Sequence, residues 1–490
     1  MPGLSSLRYL ILSAGRMGSM IALVSLCLRP FPAFTETAGV DEFLLGTAKA
    51  EITPPTGYRM AGGFSEVIST GVNDPLYAKA MAWKQGNTQA VIVVCDVCSV
   101  PRMYTDPIRR RISADTGTPV SNIAVLATHT HGGPEYYGVL RDALHRLAAE
   151  KEGTDPRETI DFPALFMDQC VAAAGEAYRH LRPVRIATGS TTLPGIAQNR
   201  RYHMKDGSVR FNPGKQNPDI VKSAGPVDEE VPILFFRDAE ENRPVASLVM
   251  FAMHVASFYN GQFGADYPGV LQTILREQVG PDFFSVFTQG TAGDVNHFNV
   301  TVPTPDPSPE AIGQALAGVV MKALPGLKPA AAPSLAVRSI RIPVPMQEFT
   351  DEDVARAEDI IHYRITPTPD FYVSVHAWKI LNTRNLAARD GANLQMEVQG
   401  FRLDGDTAVV TLPHEVFVEL GLAIKKQSPF VRTLVASMAN DLDFYVPTRK
   451  AFAEGSYEVD TSSIKPGGGE LLVAGALQLL NGLKAAPGGE

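Results

Sequence analysis

The segment Val125-Leu-Ala-Thr-His129-Thr-His131-Gly132-Gly133-Pro134 constrains this chain more than any other. Its apolar start reads as the end of a buried strand, and Gly-Gly-Pro must stop that strand. In a strand, residues i and i+2 point to the same face, so both imidazoles should aim at one spot at a strand end. The glycine turn beside them lets a substrate approach the backbone. Two histidines so placed are candidates for metal binding or proton transfer.

The rest of the chain reads as alternating strands and helices. Strands are expected near Leu44–Thr53, Asp74–Trp83, Ala90–Val97 and Ile123–His129, then near 184–189, 231–236, 246–253, 283–288, 394–403 and 407–412. Asp161-Phe-Pro163 is a helix start with a carboxylate cap and an early proline, and that helix should run to about Leu181. Other helices are expected over 104–114, 267–278, from Pro309, from Asp351 with Thr350 as its cap, over 415–426 and around 469–483. The class is α/β, with mixed sheets and flanking helices. No repeat or low-complexity linker divides residues 43–490, which read as one large catalytic domain.

Composition narrows the function classes. A net charge of −8 argues against nucleic acid as the main partner. The 42 glycines and 37 prolines imply many ordered turns, which suits an enzyme better than a helical scaffold. Residues 1–42 read as a leader: Arg8 and Arg16 precede the apolar run Met20–Leu28, which is too short to span a bilayer and has the length of a signal segment. A secreted or periplasmic location follows as an expectation. Cys95 and Cys98 fall in what reads as one strand, where i and i+3 face opposite sides, so buried structural thiols are expected rather than a redox pair.

Three further positions complete a set that suits a catalytic metal. His254 ends the apolar run Phe251-Ala-Met-His254 and, by itself, reads as a core histidine. Glu415 sits at a strand–turn–helix junction, where a carboxylate also complements a helix dipole. Tyr445 lies in the polar-aromatic turn Asn440-Asp-Leu-Asp-Phe-Tyr445 and alone reads as structural. Asp96 and Asp294, at strand ends, are candidates for orienting the imidazoles, or are simple loop caps.

In combination these motifs resemble the neutral/alkaline ceramidase family, in its N-terminal catalytic region. The resemblance rests on Gly46-Thr-Ala-Lys-Ala-Glu-Ile-Thr-Pro54, the His129-Thr-His131 box, the Met253-His254 strand end, Gly293-Asp294-Val295 and the Tyr445 to Tyr457-Glu458 pair, over roughly residues 43–460. It implies a zinc ion held by His129, His254, Glu415 and Tyr445. It also implies His131 beside the metal as general acid–base, and Arg200 and Tyr457 facing the substrate amide. Gly62, Gly63 and Asn296 become substrate-binding candidates. The implied reaction is hydrolysis of an N-acyl amide by hydroxide on zinc, with a small-molecule or lipid-like acyl amide as partner.

Two departures qualify the expectation. Ceramide-cleaving members carry serine where this chain has Asn296, so sphingoid-base recognition is open. Members also continue into an immunoglobulin-like C-terminal domain, which this chain is expected to lack. The helix around Leu471–Leu483 is expected to pack on the core, with a membrane or partner contact as the alternative. Beside the amidohydrolase stand a zinc esterase or lactonase with the same ligands, and a non-catalytic binding protein that keeps the fold.

Overall fold

The computed structural model describes residues 41–257, 260–330, 332–363 and 370–486. The leader expected over residues 1–42 lies outside them, except for Asp41 and Glu42. Two larger sheets organise the chain. The first is built from β1 (Leu44–Glu51), β2 (Tyr77–Gln85), β3 (Thr88–Cys95), β4 (Ile123–Ala127), β5 (Arg182–Thr192), β6 (Glu230–Asp238), β7 (Pro244–Phe251) and β8 (Phe284–Gln289). Their order across the sheet is β8-β7-β6-β5-β1-β2-β3-β4, and the two-residue strand Lys328–Pro329 pairs onto β5. The second sheet runs β9 (Ala336–Pro345), β10 (Asn393–Arg402), β11 (Thr407–Thr411), β12 (Arg432–Ala436).

Most neighbours are antiparallel, but three pairs are parallel: β3 with β4, β7 with β8, and β11 with β12. These are the strands that read as continuous apolar runs, and burial on both faces explains that reading. Val91–Cys95, Ile123–Ala127 and Val245–Phe251 are buried throughout. In α/β sheets the ends of such strands carry the ligand crevice.

The two sheets are stitched together by one short segment, Ser437–Asn440, which continues β12. Ser437 N donates to Gln289 O at 3.0 Å, and Asn440 N donates to Val125 O at 2.8 Å. The Asn440 side chain accepts from Val125 N at 2.9 Å and donates to Gln399 Oε1 at 2.7 Å. Both outer strands of the first sheet, β4 and β8, therefore meet the same segment of the second, through the bridges Leu126–Ala439 and Gly290–Ala436.

Helices cover the sheets as the sequence pattern requires. Asp161 caps Phe162–Arg179 by accepting from Ala164 N, and that helix lays Phe166, Cys170, Ala173, Ala174 and Ala177 against β1 and β2. Each buried phenylalanine there contributes about 1.5–3 kcal/mol. Gly46 of β1 is what permits the close approach, since a Cβ there would sit 1.8 Å from the Ala177 carbonyl oxygen. The last helix, Gly468–Ala485, packs on β9 and β10 with Leu472, Ala476, Leu479, Leu480 and Leu483 buried. Packing, not an exposed apolar face, is thus the outcome for Leu471–Leu483, of which Leu471 itself stays 45% exposed. No helix among the described residues is long and apolar enough to cross a membrane.

Three local readings are corrected. The strand expected to reach His129 ends at Ala127, and His129 adopts φ 67°, so the two imidazoles are brought together by a loop and not by a pleat. Glu415 does not open a helix. It forms a two-residue strand with Val416, paired in parallel with Tyr445–Val446, and the helix starts at Val418. The strand holding Cys95 stops there, so Cys98 lies in the following loop and is only half-buried, while Cys95 packs against Cys170 with sulfurs 3.5 Å apart.

The packing makes a contrast of two glycines testable. Gly46→Ala should cost about 1–3 kcal/mol, because backbone stands in the way on the helix side. Gly318→Ala, on the exposed face of Pro309–Ala323 with nothing within 4 Å, should gain up to about 1 kcal/mol. Urea denaturation of the two variants checks the opposite signs.

Candidate metal centre

His129, His254 and Glu415 converge from three parts of the chain that are far apart in sequence. His129 follows β4, His254 follows β7, and Glu415 follows β11. Glu415 Oε2 lies 3.4 Å from His129 Nε2 and 3.1 Å from His254 Nε2. All three residues are buried. Their candidate ligand atoms lie within 4.8 Å of one another.

Backbone carbonyls, rather than acidic side chains, aim the two rings. His129 Nδ1–H donates to Cys98 O at 2.7 Å, and His254 Nδ1–H donates to Ala292 O at 2.8 Å. With a proton at Nδ1, the neutral form of each ring turns its Nε2 lone pair toward Glu415. Asp96 and Asp294 do not reach these rings. Asp96 accepts from Lys79 Nζ at 2.6 Å and Tyr77 N at 3.0 Å, and Asp294 accepts from Val418 N at 2.9 Å and Asn199 Nδ2 at 2.7 Å. Asp294 is still close by in the chain: its bond to Val418 N ties the Gly293 loop to the helix that follows Glu415.

The electrostatics match a cation site. Burial alone would raise the Glu415 carboxyl, but the two imidazoles hold it well below the usual range, so it is ionised. Burial, then the Arg200 charge, pushes His254 down to about 4, so this ring is neutral. Burial would also lower His129, but Glu415 and Cys98 outweigh it and hold it above its ordinary value. His129 Nε2 and Glu415 Oε2 are buried with no hydrogen-bond partner. Two orphaned polar atoms facing a common point are costly unless something bridges them. Imidazole and carboxylate donors suit zinc, so the residues present fit the metal that the sequence implied.

The surrounding candidates take different places. The Tyr445 ring stacks on His254 with centroids 6.4 Å apart and 15° between planes, and burial keeps its phenol protonated. Both ring nitrogens of His131 are buried without a partner, and burial, then the His129 charge, keeps this imidazole neutral. A Cβ on Gly62 would meet the His131 ring at 2.5 Å, and Gly62 holds φ 100°, so the glycine is what admits the ring. Gly63 lines the same cleft. Tyr457 sits beside Tyr445 with ring centroids 5.6 Å apart.

Arg200 stands behind the ligands and not in the cleft wall. It donates to Glu458 Oε1 at 2.8 Å through Nε, to Gly293 O at 2.7 Å through Nη2, and to His254 Nε2 at 3.1 Å through Nη1. That last bond uses the lone pair a cation needs, so Nη1 must turn aside for His254 to bind one. Asn296 is buried too, and it faces Asn212 and Phe298 N rather than the cleft.

The cleft over the centre has a volume of about 140 Å³. His129, His131, Glu415, Tyr445 and Tyr457 form its floor, and Phe64, Val139, Leu140, Trp378, Leu442 and Phe444 supply apolar wall. Sequence reasoning missed Cys98, Glu135, Trp378 and Asp443 on this wall. Glu135 alone carried a signal, since it follows the Gly132-Gly133-Pro134 turn directly. Glu458 was also underrated. It is fully buried and binds both Arg200 and Arg201, the latter at 3.0 Å. Glu458→Ala should cost about 3–5 kcal/mol by leaving the buried Arg200 guanidinium without an ion-pair partner and Arg201 with Glu454 alone, measured as a lower urea midpoint.

Comparison with known proteins bears on the fold and the family. The search of curated proteins returned no match. The neutral ceramidase of Pseudomonas aeruginosa superposes with a TM-score of 0.67 at 18% identity, over 92% of this chain and 76% of that one. A ceramidase complexed with C2 superposes with a TM-score of 0.65 at 17% identity, over 92% of this chain and 77% of that one. The N-terminal region of the neutral/alkaline non-lysosomal ceramidases matches residues 43–304. The chain belongs to the neutral/alkaline non-lysosomal ceramidase family.

Proposed function

We propose that this protein is a zinc-dependent amidohydrolase that cleaves an N-acyl amide with an apolar acyl or amine portion. The observation that carries the proposal is the buried trio His129, His254 and Glu415, with His129 Nε2 and Glu415 Oε2 unbridged, at the floor of a cleft with an apolar wall that His129 and Glu415 line. Zinc held there would supply a water ionisable near neutral pH and polarise the acyl carbonyl. Tyr445 is the fourth candidate ligand, since its ring lies against that of His254.

The chain's own residues account for the remaining steps. The carbonyls of Cys98 and Ala292 keep the ligand rings in one tautomer. His131 is neutral and unbonded, so one of its nitrogens takes the proton of the attacking water and returns it to the departing amine. The Tyr457 hydroxyl, kept protonated by burial, is the donor available to the developing oxyanion. Arg200, fixed by Glu458 and the Gly293 carbonyl, acts by its charge, which keeps the His254 ring neutral, rather than by touching substrate. Apolar walls keep bulk water from the reacting carbonyl. With Asn296 turned away from the cleft, that position does not select the amine, and ceramide is one candidate among N-acyl amides. Export through the leader belongs to the same proposal, and N-terminal sequencing of the mature chain from a periplasmic or culture fraction checks it.

Two variants separate metal binding from chemistry. Glu415→Ala should lose both bound zinc, by elemental analysis, and hydrolysis of a fluorescent N-acyl sphingosine or a simpler N-acyl amide. His131→Ala should keep zinc and lose about 10²–10⁴ in turnover. Full zinc occupancy with no cleavage of any acyl amide by the wild-type chain would sink the amidohydrolase reading.

A further inference from the structure

We propose that Glu135 recognises the amine half of the substrate as it is released, accepting an N–H of the freed amine at its carboxyl. This rests on the hydrolase reading of the cleft and specifies which half of the substrate the acidic wall recognises.

The backbone around Glu135 is tightly held. Glu135 N donates to Arg59 O at 3.0 Å, Pro134 bridges Met60, and Ala61 N donates to Gly133 O at 2.9 Å. The next residue, Tyr136, is 1% exposed and its hydroxyl donates to Ser99 O at 2.6 Å. The Glu135 side chain is thereby aimed into the cleft, yet its carboxyl has no hydrogen bond or ion pair among the described residues. Arg59, the nearest cation acting on it, is already engaged by Asp155 and Glu66. Helix capping does not explain it either: the helix that follows, Gly138–Glu152, is capped at Tyr137 with no side-chain bond. Burial pushes this carboxyl up to about 8, and Arg59 offsets that only in part. A half-buried acid without a partner in the wall of a cleft points to a ligand.

The wall around it says which ligand. Among the described lining residues there is no lysine or arginine, and the acids are Glu135, Glu415 and Asp443, of which Glu415 belongs to the candidate metal centre. A carboxyl without a basic side chain beside it can pass its proton to a basic amine and pair with the ammonium, which a fatty carboxylate is too weak a base to do. Hydrolysis of an N-acyl amide releases both, and an aliphatic amine is a cation at neutral pH. On this proposal the Glu135 carboxyl gives its proton to the freed amine and pairs, as carboxylate, with the ammonium formed.

Trp378 lines the cleft and Trp83 is wholly buried elsewhere, so tryptophan fluorescence reports binding there. Dodecylamine and dodecanol are probes of equal apolar length, titrated into the wild-type chain, Glu135→Gln and Glu135→Ala. The wild type should prefer the amine by about tenfold or more, the size of one charged hydrogen bond. Both substitutions should erase that preference and leave dodecanol binding unchanged. Circular dichroism melts establish that the variants are folded. A preference that survives Glu135→Gln, an equal loss for both probes, or a wild type that binds neither would overturn the proposal. Binding needs no turnover, so amine selectivity without any hydrolysis would count against the hydrolase reading alone.

Discussion

The site depends on Ser437–Asn440, which joins the strand ends of two sheets. It bonds to the ends of β4 and β8 and to the turn after β11, so the positions of His129 and Glu415 follow from one set of backbone bonds. The stitch imposes strain. His129, His414, Met438 and Asn440 all hold φ between 61° and 67°, a region that disfavours side chains other than glycine. Such residues cost about 1–3 kcal/mol each. Their clustering around one point shows that packing and main-chain bonds over-determine the local geometry.

Charge is arranged in two layers behind the cleft. Nearest the cavity, one carboxylate faces two imidazoles whose tautomers are set by carbonyl groups. Behind them, Glu458 binds Arg200 and Arg201, and Arg200 reaches forward to His254. A guanidinium behind a ligand imidazole keeps that ring neutral, the form that binds a cation. The phenol rings of Tyr445 and Tyr457 also lie near the Arg200 guanidinium, at 5.2 Å and 5.8 Å, which holds the aromatic floor against the charged layer.

Much of the framework was legible in the order of residues. The apolar runs of β3, β4 and β7 are buried on both faces, and such runs announce themselves without a partner. Asp161 with Pro163 marked a helix start, and the Asp161 cap is formed. What could not be read was the end of each strand, where function lies. The extension of a strand to His129, and of a helix back to Glu415, both failed for the same reason. Local pattern does not register that a residue will leave regular structure to meet a distant one. Asp96 failed differently: an aspartate at a strand end looks like an imidazole partner until Lys79 is found across the strand pair.

The sequence by itself supplied the candidate ligand types, two imidazoles and a carboxylate in short motifs whose combination resembles a known family, because side-chain chemistry is local and needs no fold to be recognised. It also determined the class of sheet, through the apolar runs. The tertiary structure alone decided that these motifs share one point, that carbonyls and not aspartates aim the rings, and that Glu135 faces the cleft while Asn296 does not. Those outcomes depend on contacts between residues hundreds of positions apart, such as Val125 with Asn440, and a pairing of that reach leaves no periodic trace along the chain.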